Sequence, residues 1–183
     1  MGKLRIIAGT LRGRRIPVPA GSLRPTSDRA REGLFGVLGP RLAGARILDL
    51  YAGTGALGIE GLSRGARSAV FVERDRRLAD HLRRQLELLE LAERGRVLQG
   101  DVALFLTRGL VAGPFDLVLA DPPYDLHLSP EIVAAATGLL VSGGVLALER
   151  EASAGAVEPR GGALWRTVRY GRTAFDLLLA GHG

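Results

Sequence analysis

From residue 46 onward, short apolar runs alternate with stretches in which apolar residues recur every three or four positions. The runs at 46–51, 68–73, 96–99, 115–120 and 144–149 read as strands, and 56–64, 75–92, 101–109 and 129–140 as helices. The clearest helix is 75–92, where Leu78, Leu82, Leu86 and Leu89 fall on one face. Regular strand–helix alternation predicts a mostly parallel sheet covered on both sides. The end of the chain breaks the pattern. Leu164–Tyr170 and Thr173–Ala180 flank Gly171-Arg172, a hairpin signal, so the sheet should finish with antiparallel pairing.

The first 45 residues follow a different rhythm. Residues 4–19 read as two short strands around a turn rich in Gly, Thr and Arg. Thr26-Ser27-Asp28 offers N-cap residues for a helix over 28–39, with Ala30, Leu34, Phe35 and Leu38 on one face and Gly39-Pro40 at its end. Two parts are therefore expected: an extension at 1–45, made of hairpin and helix, and an α/β unit at 46–183.

Composition narrows the chemistry. A chain of 183 residues suits one compact domain. No apolar run reaches the length of a membrane span, and the amino terminus lacks a signal-peptide pattern, so no membrane association and a cytoplasmic location are expected. Without cysteine there are no disulfides and no thiolate metal sites, and His81, His127 and His182 are too scattered to suggest a metal centre.

Net charge is +6, but of 25 basic residues only Lys3 is lysine, which reflects coding bias more than partners. Position is more telling. Residues 1–45 hold nine basic residues against Asp28 and Glu32, whereas 16 basic residues face 17 acidic ones in 46–183. A basic arm of this kind suits phosphate contacts, with Arg5, Arg12, Arg14 and Arg15 as candidates. A solvated basic terminus is the plain alternative.

The segment Arg46–Gly58 runs from a strand into Gly53-Thr-Gly55-Ala-Leu-Gly58, a G-x-G-x-x-G turn with Glu73 lying 20 residues beyond Gly53. Ile59 and Glu60 stand where a phosphate-binding Walker loop needs Lys and Ser or Thr. Charge separates the two remaining cofactors. Asp49, just before the turn, repels a pyrophosphate but attracts the ammonium and sulfonium of S-adenosylmethionine. Glu73 suits ribose hydroxyls and Asp101 an adenine amine, giving three acids on three successive strand ends. Each also has a bland role: Asp49 as a helix cap, Gly55 for a positive φ, Gly58 for close packing.

Phe115–Ala120 ends in Asp121-Pro122-Pro123-Tyr124. A nucleobase amine is a poor nucleophile, because its lone pair is delocalised into the ring. Acceptors gripping its hydrogens localise that pair and aim it. Asp121 supplies a carboxylate, the Pro122 carbonyl a second acceptor, and Tyr124 a stacking surface. Positioning of this sort carries the catalysis. Alternatively, Asp-Pro-Pro only ends a strand with a stiff turn and Tyr124 belongs to the core.

These residues resemble the class I methyltransferases of the [DN]-P-P-[FYW] type. More narrowly, Ile6–Arg15, Arg24–Phe35, Asp49–Arg64 and Asp121–Tyr124 are similar to the bacterial 16S ribosomal RNA guanine-N2 methyltransferases of the RsmD type. The resemblance implies a Rossmann-like sheet of seven strands with an antiparallel end, S-adenosylmethionine as methyl donor, and transfer to the N2 amine of one guanine. It assigns Asp49, Gly53 and Gly55 to the methionine end, Glu73 to the ribose, Asp101 to the adenine, and Thr26 and Arg29 to a segment closing over the cofactor. Asp121, Pro122 and Tyr124 become the amine clamp. The implied partner is 16S RNA in the small subunit or an assembly intermediate, met by a monomer. Residues 46–183 become the S-adenosylmethionine-binding catalytic domain, and the target base must leave its stack to reach it. The rivals are a DNA adenine-N6 methyltransferase, a protein glutamine methyltransferase, an NAD-dependent oxidoreductase and a non-catalytic RNA-binding module. The lack of a recognition domain, Asp rather than Asn at 121, the charge of Asp49, and the joint presence of turn and clamp weigh against them in turn.

Overall fold

A computed structural model describes residues 2–19, 26–123, 126, 128–156 and 161–181. Strands β1 (Gly2–Arg5) and β2 (Arg15–Val18) pair antiparallel as a separate two-stranded sheet. Helix α1 (Asp28–Leu38) follows. The alternating part runs β3 (Arg46–Leu50), α2 (Ala56–Ser63), β4 (Ser68–Glu73), α3 (Arg76–Leu88), β5 (Gly95–Gln99), α4 (Val102–Thr107), β6 (Phe115–Ala120), α5 (Pro130–Thr137) and β7 (Leu140–Glu151). Strands β8 (Gly162–Tyr170) and β9 (Thr173–Ala180) complete it.

Seven strands form one sheet in the order β5-β4-β3-β6-β7-β9-β8. The first five are parallel, and β9 lies antiparallel between β7 and β8. The direction of winding reverses between β3 and β6, so a crevice opens outside the carboxyl ends of these central strands. Both faces are covered. Leu34, Phe35, Ile59, Leu82 and Leu86 bring α1, α2 and α3 onto one side; Val102, Leu106, Val133 and Ala136 bring α4 and α5 onto the other. The central strands are apolar on both faces because both are buried.

Periodicity located the elements well and their ends less well. The helix expected to reach residue 92 stops at Leu88: Glu90 takes a φ of 58°, and the Leu91 N–H closes the turn on the Leu86 carbonyl at 2.7 Å. Strand β7 is longer than 144–149, with Gly143 at a φ of 73° near an irregular register against β6. Ser27 caps α1, and Ala30, Leu34, Phe35 and Leu38 are all buried.

The amino-terminal extension is not a loose arm. Leu4, Ile6 and Ile16 enter the same apolar cluster as α1, α2 and α3. The N–H groups of Ile7 and Ala8 donate to the Glu60 carboxylate at 2.9 and 3.1 Å, and those of Thr10 and Leu11 to the Ser63 carbonyl and hydroxyl. Gly9 has a φ of +82°, and a Cβ there would run into the Ser63 carbonyl, so only glycine permits this approach. Arg31, fully buried in α1, donates to the Arg5 carbonyl and to Asp28 and lies 3.8 Å from Glu60.

Candidate active site

Acidic side chains cluster at the carboxyl ends of five adjacent strands. Asp101 follows β5, Glu73 ends β4, Asp49 lies in β3, Asp121 follows β6 and Glu149 lies near the end of β7. Parallel strands place consecutive ends side by side, so register alone assembles this rim. The same register, pairing Asp49 with Leu119 and Ala120 with Leu148, sets Asp121 beside Glu149 on the face covered by α1.

The glycine turn is built by two of these acids. Asp49 is buried and accepts the Gly58 N–H at 2.8 Å, capping the first turn of α2. Gly58 is glycine because a Cβ would meet the Phe71 ring and come within 2.9 Å of the Asp49 carboxylate. Burial pushes the Asp49 carboxyl well above its ordinary range, against the Gly58 hydrogen bond, and Asp121 and Glu73 push in the same direction. Glu73 accepts from Gly53 N–H and from Asp75 N–H, both at 2.7 Å. Gly53 and Gly55 have φ values of 55° and 77°. Tyr51, just before them, takes a φ of 59°, which is strained for a side chain of its size. Burial and nearby Asp101 raise its hydroxyl to about 12. Nothing in the spelling of the turn foretold Tyr51. Asp101 caps α4, accepting the Leu104 N–H at 3.0 Å.

Across the crevice, Asp121 meets Thr26 and Glu149. The Thr26 hydroxyl lies 3.0 Å from Asp121 Oδ2 and 2.6 Å from Glu149 Oε2. Thr173 of β9 acts on Glu149 as well, favouring its ionised form. Burial raises the Asp121 carboxyl to about 6, with Thr26 and Glu149 pulling down. Burial and then the Asp121 charge raise Glu149 to about 8. Sequence reading assigned Thr26 to the cofactor; here its hydroxyl is on the two carboxyls. Glu149 was missed. A carboxylate closing Val145–Leu148 at the strand end next to Asp121 was the available signal.

The remaining candidates are spread out. Pro122 follows Asp121 and is buried, whereas Tyr124 and Arg24 lie outside the described residues. Arg29 is exposed in the first turn of α1. Arg5, Arg12, Arg14 and Arg15 are all exposed on the hairpin. Arg5 is 3.7 Å from Asp28, near the amino end of α1, whereas Arg14 reaches the Leu88 carbonyl at the carboxyl end of α3. The loop carrying Arg12 packs on Ser63, where α2 ends. The hairpin thus runs from the crevice side towards the end where β4 and β5 begin. Among the described residues no group of acids, histidines or cysteines is placed to hold a metal, and no helix is long and apolar enough to cross a membrane.

Known proteins share both sequence and architecture. Ribosomal RNA small subunit methyltransferase D of Escherichia coli is 42% identical over 133 residues, covering 72% of this chain and 66% of the relative, just under two thirds of its length. Its counterpart in Haemophilus influenzae is 38% identical over 73% of this chain and 70% of its own. A solved Escherichia coli structure, the candidate methyltransferase yhhF, superposes with a TM-score of 0.86 at 35% identity, covering all of both chains. With a family model that matches residues 4–179, this chain belongs to the family described as Conserved hypothetical protein 95, the RsmD family of ribosomal RNA methyltransferases, and has the class I methyltransferase fold.

Proposed function

We propose that this chain methylates the N2 amine of one guanine in 16S ribosomal RNA, using S-adenosylmethionine, and meets that RNA in the small subunit or an assembly intermediate. The observation that carries the reading is the pairing of an acid-lined glycine turn with Asp121 across one crevice at the β3/β6 switch point.

The residues fit this cofactor and not a dinucleotide. Burial first, and then its acidic neighbours, raise the Asp49 carboxyl; among the described residues no cation pairs with it, and an ammonium group beside it would relieve that cost. A pyrophosphate over the same turn would add charge of the wrong sign. Asp49, Gly53 and Gly55 would hold the methionine end, with Glu73 at the ribose and Asp101 at the adenine. Glu73 and Asp101 keep unused acceptor lone pairs after their backbone bonds. When bound, the cofactor supplies an electrophilic methyl group on a sulfonium.

The chain's own work is orientation. Asp121 accepts one amine N–H, the Pro122 carbonyl accepts the other, and Tyr124 stacks on the base. Thr26 holds the carboxyl of Asp121 from above. The amine nitrogen gains a methyl and loses a proton, with Asp121 the nearest base. Arg5, Arg12, Arg14 and Arg15 contact phosphates away from the target base, as a monomer wraps its hairpin side along the RNA. Arg29 lies beside the cofactor.

The test is methyl transfer from labelled S-adenosylmethionine to unmethylated 30S subunits, naked 16S RNA and duplex DNA, followed by nucleoside analysis. N2-methylguanosine at a single site in the small-subunit RNA is the expected product. Methyladenine in DNA would keep the chemistry and overturn the substrate.

A further inference from the structure

The oxygens of Thr26, Asp121 and Glu149 pose a proton-counting problem. A threonine hydroxyl carries a single hydrogen and can donate only once. Its oxygen is nevertheless within hydrogen-bond distance of both carboxyls. With both acids ionised, one of these two close oxygen pairs would hold no hydrogen at all, at a largely buried contact. Two hydrogens are needed, so one carboxyl must keep a proton.

Position says which one. Glu149 is 3% exposed, flanked within the sheet by Ala147 and by Phe175 across the strand pair. Asp121 sits past the end of β6 on the crevice, only partly buried. The deeper acid loses more hydration on ionising. Its neighbours among the described residues offer no cation. Among the described residues, the polar groups that face Glu149 are Thr26 from the segment before α1, Asp121 from the end of β6 and Thr173 from β9. The next residue, Arg150, points to the other face of the sheet and is committed to Asp176. Asp49, further along the rim, is another acid and offers no positive charge.

We infer that Glu149 is a positioning residue that stays protonated in the resting site, donating to the Thr26 oxygen so that Asp121 remains the single carboxylate aimed at the substrate amine. The assignment rests on the methylation reading for its purpose, but not for its geometry. The hydrogen-bond order runs from the Glu149 carboxylic acid to the Thr26 oxygen, and from the Thr26 hydroxyl to Asp121. Ionising Glu149 would set two carboxylates against one hydroxyl and push Asp121 out of line. The upward shift of Glu149 to about 8 and of Asp121 to about 6 agrees in direction and order. As the two acids interact, such values belong to the pair.

The test compares wild type with Glu149→Gln and Glu149→Ala. Glutamine keeps a donor in place and cannot ionise. Wild-type kcat/KM should rise through an acid limb near 6 and fall through an alkaline limb near 8. E149Q should lose the alkaline limb and overtake wild type above it, with activity at pH 7 lowered by less than about tenfold. E149A should lose about a hundredfold with cofactor affinity retained. An alkaline limb that persists in E149Q, or a collapse of E149Q to the level of E149A, would overturn the inference. Infrared difference spectra of the substrate-free protein give a second readout. Wild type at pH 7 should show a carboxylic-acid carbonyl band that E149Q lacks, and its absence from wild type counts equally against the proton. Should wild type methylate no guanine at all, the functional reading fails while the infrared result still decides where the proton is.

Discussion

The Glu73 carboxylate accepts the Gly53 N–H at 2.7 Å while its other oxygen accepts the Asp75 N–H at the same distance. One side chain at the end of β4 thereby fixes both the glycine turn after β3 and the start of α3. An acid suited to ribose hydroxyls is also the brace of the turn beside it. Glu73→Ala should weaken S-adenosylmethionine binding by more than a lost ribose contact alone, about 2 kcal/mol or more, because the turn loses its anchor as well. Titration calorimetry would read this. Glu73→Gln should recover little, since an amide offers only one oxygen to two donors. Full recovery in the glutamine variant would show that Glu73 has no bracing role.

Asp121→Ala should cut transfer by about a thousandfold or more while leaving cofactor affinity within about threefold, because the proposed role of Asp121 is to hold the amine and not the cofactor. Asp121→Asn keeps an acceptor oxygen and should retain more activity than alanine. Single-turnover rates and cofactor binding measured on the same samples separate the two effects. Lost cofactor binding with transfer preserved at saturating cofactor would remove Asp121 from the clamp.

The fold was largely legible because its signals are local. Val70, Phe71 and Val72, or Leu117, Val118 and Leu119, announce buried strands by themselves, and Gly171-Arg172 announces the final hairpin. The rim of acids was legible only where a recognisable turn or Asp-Pro-Pro segment pointed to it. Glu149 is carried by no motif, and its importance comes from pairing between β6 and β7, which local pattern does not encode. Thr26 is a candidate from its motif, but its contact with the two acids was not legible for the same reason, as it lies 95 residues from Asp121 and 123 from Glu149 in sequence. Arg31 looked like one more positive charge of the basic extension, yet it is buried and structural.

The hairpin prediction concerns salt. Arg12, Arg14 and Arg15 are exposed, and of these Arg14 makes only a backbone contact, to Leu88. Replacing all three with Ala should leave folding and cofactor affinity nearly intact. The slope of log affinity for 16S RNA against log salt should shrink by about 2 to 3, near one counterion per lost phosphate contact. Filter binding across a salt series measures it. An unchanged slope would mean that the hairpin tip faces solvent when RNA is bound.

Glu60 is the hinge between hairpin and helices: Ile7, Ala8 and Arg64 all donate to it, and Arg31 lies beside it. Glu60→Ala leaves two backbone N–H groups without an acceptor and strips a buried guanidinium of its neighbour. The expected cost is about 3 kcal/mol or more in urea unfolding, with early proteolysis in the hairpin. Arg64→Ala, removing a partly exposed partner of the same carboxylate, should cost about 1 kcal/mol. Equal costs for the two would mean that the buried pairing adds nothing beyond the surface bridge.

Protonation of the Glu149–Asp121 pair should also be visible in stability, without any substrate. Burial raises the folded-state Glu149 carboxyl from 4.5 to about 8 and Asp121 from 3.8 to about 6. Between the unfolded and folded values the native protein binds more protons than the unfolded chain. The pair's contribution must therefore decline as pH rises through that window, the reverse of a salt-bridged acid. Glu149→Gln removes the part that extends to about 8. The difference in unfolding free energy between E149Q and wild type should grow in favour of E149Q from pH 5 to pH 8, by on the order of 2 kcal/mol, and level off above. Urea midpoints at half-unit pH steps provide the curve. A difference that stays flat across the window would mean that Glu149 ionises as freely in the folded protein as in the unfolded chain, and the hydroxyl of Thr26 would then have to be drawn to the carboxyls by some other arrangement of protons.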